Sequence, residues 1–387
     1  MRIAAAALFF LCAFTPPSAA PRPVKFVKVS TGEFFACAVL SGIQSASPLY
    51  CWGDGRSAIF ASGRASPTPR AIRLPPAIAR TPIVSLAAGA TPFACFAIST
   101  GRIYCWGEND YGELGDGSET ARTTPVQVRL PEPAVDVTAG ENMACALARS
   151  GAAYCWGNNA EGQLGAGDLV KHGSPVRVQT HTRFTSLSAG AGGGVCGLTQ
   201  DAAVLCWGIP LGDSGPEDAT VENATPSPPA TLPAERYRAL SVGNGFACVR
   251  NARGDVRCWG DANAGQLGAE VMGPASSLQV QLPNGEQSIL VSAGFQSACA
   301  LTTSQRVACW GRNDAGELGR MSPDASDRAP GFVVGDGRYL DISTGGSSAC
   351  AITVARSLEC WGLFKRGSKE MDGAARRRSQ PTLVAFP

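Results

Sequence analysis

Residues 144–167 read ACALARSGAAYCWGNNAEGQLGAG, and the pattern of two cysteines followed by Trp-Gly recurs seven times in the 387-residue chain. Fourteen of the fifteen cysteines form seven pairs, and all seven tryptophans directly follow the second cysteine of a pair. From Trp106 onward the tryptophans recur every 50 to 52 residues, after a first step of 54 from Trp52. Self-similarity at a fixed period indicates a repeat architecture.

Each repeat contains four segments that read as short strands. An alternating run such as AVDVTAG precedes the first cysteine, and a proline-containing extended stretch such as TTPVQVRL follows the loop after Trp-Gly. Four strands in about 50 residues, repeated seven times, predict an all-β fold, a single seven-bladed β-propeller with four antiparallel strands per blade. A sandwich or two separate barrels are the alternatives, and the uniform period disfavours both because no linker interrupts it. The terminal runs at residues 26–30 and 381–386 are placed to share or flank a closing blade.

The cysteine spacing predicts one disulfide within each blade. Folding the chain back around Ser150 sets Cys145 opposite Cys155, at a Cα separation of about 4.5 to 5.5 Å that a disulfide can span. Metal sites are the alternative, but the chain has no short C-x-x-C spacing and only two histidines. The predicted pairs are Cys37 with Cys51, Cys95 with Cys105, Cys145 with Cys155, Cys196 with Cys206, Cys248 with Cys258, Cys299 with Cys309, and Cys350 with Cys360.

Alternation along a strand places each disulfide and the adjacent tryptophan on opposite faces of the blade. We therefore expect both to be buried between neighbouring blades. Core packing is preferred over ligand stacking as the role of the tryptophans.

The N-terminus predicts export. Residues 3–14 form a short apolar run followed by TPPSAA, which is the layout of a secretory signal peptide and is too short to span a bilayer. We assign residues 1–20 to this peptide and residues 21–387 to the propeller. The unpaired Cys12 leaves with the peptide, and disulfides persist in oxidising compartments, so a secreted, periplasmic or cell-surface location is expected. No other stretch is apolar enough to span a membrane.

The loops after Trp-Gly carry a family signature. They read GENDYGELGDG from Gly107, GNNAEGQLGAG from Gly157, GDANAGQLGAE from Gly260 and GRNDAGELGR from Gly311. With the upstream Ala-Gly and the downstream P-x-x-V element, this repeat closely resembles that of the regulator of chromosome condensation family, whose fold is a seven-bladed propeller. The glycines suit a tight loop with positive φ, and Leu114, Leu164, Leu267 and Leu318 are expected to plug the blade edge. The loops from Gly53, Gly208 and Gly362 depart from the pattern.

The resemblance implies a binding scaffold. The eukaryotic founder of the family is a nuclear nucleotide-exchange factor that binds chromatin, and neither activity is transferred to a chain with a signal peptide. Without Arg2 the chain carries 32 basic and 31 acidic residues, which gives little of the counterion release that nucleic-acid binding needs. Secreted relatives of this fold include an inhibitor that clamps β-lactamases with one propeller face, so the resemblance implies protein binding.

Several short motifs resemble catalytic or metal-binding sites but are better explained as structural loops. Residues 212–215 read GDSG, as in trypsin-like proteases, but neither His172 nor His181 has a matching context. The acidic loop containing Asn109, Glu113 and Asp116 lacks the ligand spacing of a calcium loop, so turn chemistry is expected. Residues 212–233 are predicted to form a flexible loop, which holds a glycosylation sequon at Asn223 if the source is eukaryotic.

One local basic cluster, in the seventh repeat, is a candidate partner-binding site. A solvated loop is the alternative interpretation, and contact with an anion or an acidic partner is the functional one. The cluster comprises Lys365, Arg366, Lys369, Arg376, Arg377 and Arg378.

These observations predict a secreted, monomeric, non-enzymatic propeller that binds an extracytoplasmic protein through its loop face. Inhibition of the bound protein is one role that such a scaffold can have. No catalytic constellation of nucleophile, base and orienting acid is visible, and no cofactor, metal, nucleic-acid or membrane-spanning site is predicted. The alternatives are an enzyme with a site at one end of the central channel, and a cell-surface adhesin or carbohydrate binder.

Overall fold

A computed structural model of the chain describes residues 25–41, 48–54, 59–60, 65–212, 221–229, 231–269, 275–322, 324, 326–364 and 378–385. These residues form seven antiparallel sheets, and the first strand of each sheet contacts the first strands of both neighbouring sheets. The seven first strands therefore surround one axis. The predicted single seven-bladed β-propeller is confirmed.

The strands follow one another outward through each blade. Blade 1 contains β1 (Lys25–Thr31), β2 (Phe35–Ser41), β3 (Leu49–Gly53) and β4 (Ser66–Ala71); blade 2 contains β5 (Ile83–Ala88), β6 (Phe93–Ile98), β7 (Ile103–Gly107) and β8 (Arg122–Gln127); blade 3 contains β9 (Ala134–Ala139), β10 (Met143–Ala148), β11 (Ala153–Gly157) and β12 (His172–Arg177); blade 4 contains β13 (Phe184–Ala189), β14 (Gly194–Thr199) and β15 (Val204–Gly208). Blade 5 contains β16 (Tyr237–Val242), β17 (Phe246–Asn251), β18 (Val256–Gly260) and β19 (Ala275–Val280); blade 6 contains β20 (Ser288–Ala293), β21 (Ser297–Thr302), β22 (Val307–Arg312) and β23 (Ser326–Phe332); blade 7 contains β24 (Tyr339–Thr344), β25 (Ser348–Thr353), β26 (Leu358–Gly362) and β27 (Arg378–Leu383). Short 3-10 turns cover Pro76–Ile78, Val221–Ala224 and Pro283–Gly285.

Blade 4 differs from the predicted four strands. Its sheet has three strands among the described residues, and the outer position is held by a single bridge between Cys206 and Ser227. Pro226, Pro228 and Pro229 surround that bridge. Proline has no amide hydrogen to donate to a ladder, so the residues on both sides of Ser227 add no amide hydrogen bond to this single bridge.

The ring closes by contact between two complete blades. Strand β1 is innermost in blade 1, whereas β27 is outermost in blade 7, so the termini flank the junction and share no sheet. Across this junction the amide of Phe26 donates to the carbonyl oxygen of Arg356 at 2.9 Å. Of the two arrangements that the sequence left open, the structure adopts the flanking one.

A hydroxyl ring joins the innermost strands. In six blades a serine or threonine near the end of the first strand accepts a hydrogen bond of 2.9 to 3.0 Å from a backbone amide of the next blade. The acceptors are Ser30, Thr138, Ser188, Ser241, Ser292 and Ser343. Blade 2 has Ala87 at this position, and its Ser85 hydroxyl instead donates to the Asp136 carboxylate of blade 3 at 2.5 Å.

All seven predicted disulfides are present, with Cα separations of 4.0 to 4.1 Å. This is slightly closer than expected from strand spacing alone. In blade 1 the longer turn leaves the strands in register, because Cys37 pairs with Cys51 and Val39 with Leu49. Each sulfur pair packs against the tryptophan of the following blade, as the disulfide Cys95–Cys105 does against Trp156. Burial of sulfur and tryptophan between blades is therefore confirmed.

The signature loops connect each blade to the next. The indole Nε1 of Trp156 donates to the carbonyl oxygen of Glu113 at 2.8 Å, and the same bond joins Trp207 to Gln163, Trp310 to Gln266 and Trp361 to Glu317. Gly115 has a φ of 66°, and a Cβ atom there would lie 2.8 Å from Trp156 Nε1. The four plug leucines are fully buried, as predicted. Each complete loop therefore accepts a hydrogen bond from the tryptophan of the next blade, at four of the seven blade junctions.

Candidate functional site

The propeller presents two faces of different construction. The loop face contains the turns between the first and second strands of each blade and the loops that follow Trp-Gly. These two sets are joined by backbone bonds, such as that from Glu108 N to Pro92 O at 3.1 Å and from Asn158 N to Asn142 O at 2.9 Å. The opposite face, here called the hairpin-tip face, contains the turns between the second and third strands and the linkers between blades.

The loop face is held rigidly by its own side chains. Asn109 is completely buried; its amide nitrogen donates to the carbonyls of Ser118 and Thr120 at 2.9 and 3.1 Å, and its oxygen accepts from the amide of Leu114 at 2.9 Å. Asn159 and Asn313 make the equivalent bond to the leucine of their own loops. An asparagine side chain that replaces backbone partners in this way fixes a turn without a metal.

Turn chemistry also accounts for the acidic residues of this loop. Asp116 accepts from the amide of Ser118 at 2.9 Å, and Glu113 accepts from the amide of Tyr111 at 2.9 Å. Among the described residues, no group of three or more histidine, cysteine, aspartate or glutamate side chains is arranged to hold a metal. The hydrogen bonds expected from turn chemistry are therefore present in this loop.

Blades 2 and 3 present an acidic patch on the loop face, comprising Glu108, Asp110, Tyr111, Glu141 and Glu161. Tyr111 is 41% exposed, which is high for a large aromatic side chain. Burial and the charge of Asp110 raise the pKa of Glu108, and burial and the charge of Glu161 raise the pKa of Glu141. Like charges are thus crowded on a fixed surface, which favours a positively charged partner.

The buried Glu113 lies beneath this patch. Burial, together with the charges of Asp110 and Glu108, raises its pKa to about 6 against the opposing hydrogen bond from Tyr111 N. Gln163 makes the equivalent bond in blade 3, from Glu161 N to its side-chain oxygen at 2.9 Å. A neutral amide therefore serves in this position as well as a carboxyl group does.

Charged groups also converge inside the central channel. Lys28, Asp136 and Asp341 occupy equivalent positions on the innermost strands β1, β9 and β24, two residues before the hydroxyl ring. Burial raises the pKa of Asp341 to about 6 and raises that of Asp136, while the positive charge of Lys28 opposes both shifts. Both carboxylates accept backbone hydrogen bonds, from Ile342 N at 3.0 Å and from Val137 N at 2.9 Å.

The loop-face mouth of the channel is polar but nearly uncharged. A cavity of about 170 Å³ lies there, lined mainly by hydroxyl-bearing, glycine and alanine residues, with Val242 and Phe295. Among the described residues that line it, Glu33 is the charged one. The channel enzyme considered from the sequence needs ionisable loop residues converging at one end. The structure instead places the converging groups on strands within the channel.

The remaining sequence candidates have different fates. Residues 213–215 of the GDSG segment and most of the basic cluster (Lys365, Arg366, Lys369, Arg376 and Arg377) lie outside the described residues. Arg378 begins β27 opposite Gly362. Part of the predicted flexible loop is ordered against its blade, since Asn223 lies in the turn Val221–Ala224 and is half-buried. The described residues contain no helix long and apolar enough to cross a membrane.

Sequence reasoning missed the acidic patch because its members come from two repeats and from separate turns of each. Glu141 and Glu161 are twenty positions apart in the chain. The available signal was the loop from Gly107, whose first eleven residues hold four carboxylates, whereas the loop from Gly157 holds one over the same length.

The chain is similar in sequence to known proteins built from the same type of repeat. A sequence model of the RCC1-like domain matches residues 48–386. The chain is 25% identical over 371 residues to the Ultraviolet-B receptor UVR8 of Arabidopsis thaliana, which covers 94% of this chain and 82% of that protein. It is 26% identical over 210 residues to the mitochondrial RCC1 domain-containing protein RUG3 of Arabidopsis thaliana, covering 52% of this chain and 47% of that protein. The match to RUG3 thus spans about half the length of that relative.

A solved structure supports the same fold. Yeast RCC1 (Prp20), solved with Kap60 bound, superposes with a TM-score of 0.75 at 20% sequence identity, covering 87% of this chain and 83% of that chain. At this identity the likeness concerns the fold alone.

Proposed function

This chain belongs to the RCC1-like domain family, and on that premise we propose that it is a secreted, non-enzymatic scaffold that binds a protein partner through its loop face. The acidic patch of blades 2 and 3 is the principal contact, and the partner presents basic side chains to it. An inhibitory propeller of this kind would act by covering the partner's surface with its flat loop face.

The observation that carries this proposal is the rigid presentation of Tyr111 among carboxylates. Tyrosine contributes a large contact area at low entropic cost and is enriched at interface hot spots. Buried Asn109 and Glu113 fix the backbone around it, so little ordering entropy is lost when a partner docks. The surrounding carboxylates supply long-range attraction and orientation.

Membership of the family favours binding over catalysis. The yeast RCC1 structure was solved with a protein, Kap60, bound, which gives one example of a protein complex in the family. Fold-level analogy does not identify the partner of this chain. The partner is therefore defined here only by its chemistry.

An oxidising location is supported by the seven disulfides. Structural disulfides of this density are formed and kept in secreted proteins and not in reducing cytosol. The signal peptide at residues 1–20 remains a prediction from the sequence. N-terminal sequencing of the mature protein tests it.

Affinity capture from the extracytoplasmic fraction of the source tests the proposal. The wild type is expected to retain a basic protein in stoichiometric amount, and the Tyr111→Ala/Asp110→Asn variant is expected to lose it. Val170→Thr serves as the matched control, because Val170 is 61% exposed and lies outside the patch. Retention of a glycan in place of a protein, or equal capture by the patch variant, would overturn the proposal.

The basic cluster of the seventh repeat is proposed as a secondary contact. Gly362 and Arg378 pair at the loop-face end of blade 7, and the other five residues of the cluster lie between them in the sequence. Replacing Lys365, Arg366 and Lys369 with glutamine is expected to weaken capture of a partner that also has an acidic region. Unchanged capture assigns these residues to a solvated loop.

A channel enzyme is the second candidate, favoured by Asp136, Asp341 and Lys28. A carboxyl group with a pKa of about 6 can exchange a proton near neutral pH. Turnover of any compound in a substrate panel that is abolished by Asp341→Asn, with folding intact, would support it. Unchanged inactivity of both proteins across the panel is the outcome expected from the binding proposal.

A further inference from the structure

The hairpin-tip face carries a second, chemically opposite surface. We propose that this face binds an acidic polypeptide segment with an apolar anchor, through bulged apolar residues at the channel mouth and arginines at the hairpin tips. This inference rests on the proposed function only in taking the ligand to be a protein, and it uses the face that the loop-face proposal leaves free.

Each innermost strand contains a β-bulge at the same place. In blade 2, Ile83 pairs with Ile98 and Ser85 with Ala97, which leaves Val84 as the extra residue. The same register shift recurs in the other six blades. β-Bulges turn a side chain away from the regular pleat and recur next to functional sites. A bulge at the same position in all seven blades therefore points to a function of the bulged residues.

The bulged residues form an apolar collar, defined as Val27, Val84, Val135, Ile289 and Leu340. Four of them are large hydrophobic side chains with high exposure: Val84 at 39%, Val135 at 44%, Ile289 at 46% and Leu340 at 37%. They lie on innermost strands that contact one another around the axis, near the strand ends on the hairpin-tip side. Thr185 and Arg238 occupy the position in blades 4 and 5. Exposed apolar groups gathered at one place mark an interaction surface.

Arginines surround this collar. The hairpin tips of blades 2, 3, 5, 6 and 7 each contribute one: Arg102, Arg149, Arg253, Arg306 and Arg356. The tips lie next to the innermost strand of the following blade, as shown by the bond from Phe26 N to Arg356 O. An apolar centre with a charged rim is the usual construction of a protein interface.

Several of these arginines are available for a partner. Arg102, Arg149 and Arg356 are exposed and form no ion pair within the part of the chain that the structure describes. Two acidic groups of this face already have partners, since Asp255 pairs with Arg253 at 3.0 Å and Glu286 accepts from the Ser304 hydroxyl at 2.5 Å. Arginine offers a planar set of donors that binds carboxylates in a bidentate manner. The free charge on this face therefore suits aspartate and glutamate side chains.

A cavity beside the collar suits the apolar anchor. It has a volume of about 240 Å³, lies between blades 1 and 2, and is lined by apolar residues that include the bulged Val27 and by Arg80. This is below the range of about 300 to 1,000 Å³ that is typical of small-molecule sites. One large aliphatic or aromatic side chain is an occupant of suitable size, with Arg80 positioned for an adjacent carboxylate.

Selection from a random peptide library on the whole mature chain tests this inference. The expected peptides carry an apolar residue flanked by aspartate or glutamate. Their affinity is expected to fall about tenfold or more in the collar variant Val84→Thr/Val135→Thr/Ile289→Thr/Leu340→Thr, and similarly in Arg102→Gln/Arg149→Gln/Arg356→Gln. Thr185 already occupies this position in blade 4, so threonine is compatible with the bulge.

Two controls separate this inference from the loop-face proposal. Tyr111→Ala and Val170→Thr are expected to leave binding of these peptides unchanged. Peptides that bind the collar variant as well as the wild type would overturn the inference. The inference would also be overturned if no acidic peptide were selected and the protein bound heparin through the arginines but not the collar. That result would identify a polyanion site.

Discussion

The indole Nε1 of Trp156 donates a 2.8 Å hydrogen bond to the carbonyl oxygen of Glu113 in the preceding blade. Trp106 is equally buried, but its Nε1 has no acceptor among the described residues. The difference follows the sequence, because the loop before Trp156 is a complete signature and the loop before Trp106 is not. Ile59 and Phe60 pack against Trp106 and fill the junction without that bond.

Trp156→Phe is therefore expected to destabilise the fold more than Trp106→Phe. Both changes remove comparable buried area, but only the first removes a hydrogen bond and leaves a buried carbonyl unpaired. The difference should be about 0.5 to 1.5 kcal/mol. Urea unfolding of the two variants measures this difference in the free energy of unfolding. Equal losses of stability would show that the hydrogen bonds to the loop carbonyls do not stabilise the blade junctions.

Glu113→Gln is expected to stabilise the protein above about pH 6. The pKa of Glu113 is raised to about 6, so between its ordinary value of 4.5 and 6 the folded state holds a proton that the unfolded state releases. Stability conferred by the protonated form is complete below 4.5 and is lost as pH rises through that window. The gain in the variant is on the order of 1 to 2 kcal/mol at neutral pH and vanishes below pH 4.5.

Unfolding midpoints at several pH values measure this effect. Glu119→Gln in the same loop is the control, since Glu119 is exposed and paired with Lys171. A variant whose stability follows the wild-type pH profile would contradict the assignment of a strained buried carboxylate.

Ala87→Ser is expected to complete the hydroxyl ring. The equivalent hydroxyl in each of the other six blades accepts from a backbone amide of the next blade. Adding the seventh should raise the unfolding free energy by about 0.5 to 1.5 kcal/mol, and Ser241→Ala should lower it by a similar amount. Thermal unfolding of both variants tests the pair, and a destabilising Ala87→Ser would show that blade 2 has no room for the bond.

The disulfide Cys196–Cys206 is expected to be reduced before the other six. Cys206 is half-buried and lines a cavity of about 290 Å³, whereas the remaining thirteen paired cysteines are at most 1% exposed. A thiolate of a dithiol reductant can attack the Cys206 sulfur and release the Cys196 thiolate; its second thiolate then attacks the reductant's own sulfur in this mixed disulfide, which releases the Cys206 thiolate and oxidises the reductant to its disulfide. Alkylation during mild native reduction, followed by peptide mapping, should label Cys196 and Cys206 first; simultaneous labelling of all pairs would contradict unequal access.

The sequence predicted the features that depend on regular spacing. Cys145 opposite Cys155, the buried Leu114 and the closed ring all follow from strand periodicity and from one repeated unit. The bond from Trp156 to Glu113 was not predicted because it joins two repeats: strand alternation gives the face that a side chain occupies but not its hydrogen-bond partner in the neighbouring blade.

Departures from the repeat were harder to anticipate. The single bridge at Cys206 in blade 4 depends on three prolines whose effect is local. The sequence showed the alternation of the innermost strands but not the bulge that exposes Val84 and its equivalents, because a bulge is defined by pairing and not by composition.

Site-specific photo-crosslinking in the native extracytoplasmic fraction tests the central claim most directly. A crosslinking amino acid at position 111 is expected to trap one basic protein in stoichiometric yield, while the same group at position 170 traps none. Absence of any protein adduct from position 111, in a preparation that turns over a substrate through Asp341, would contradict the binding scaffold and favour the channel enzyme.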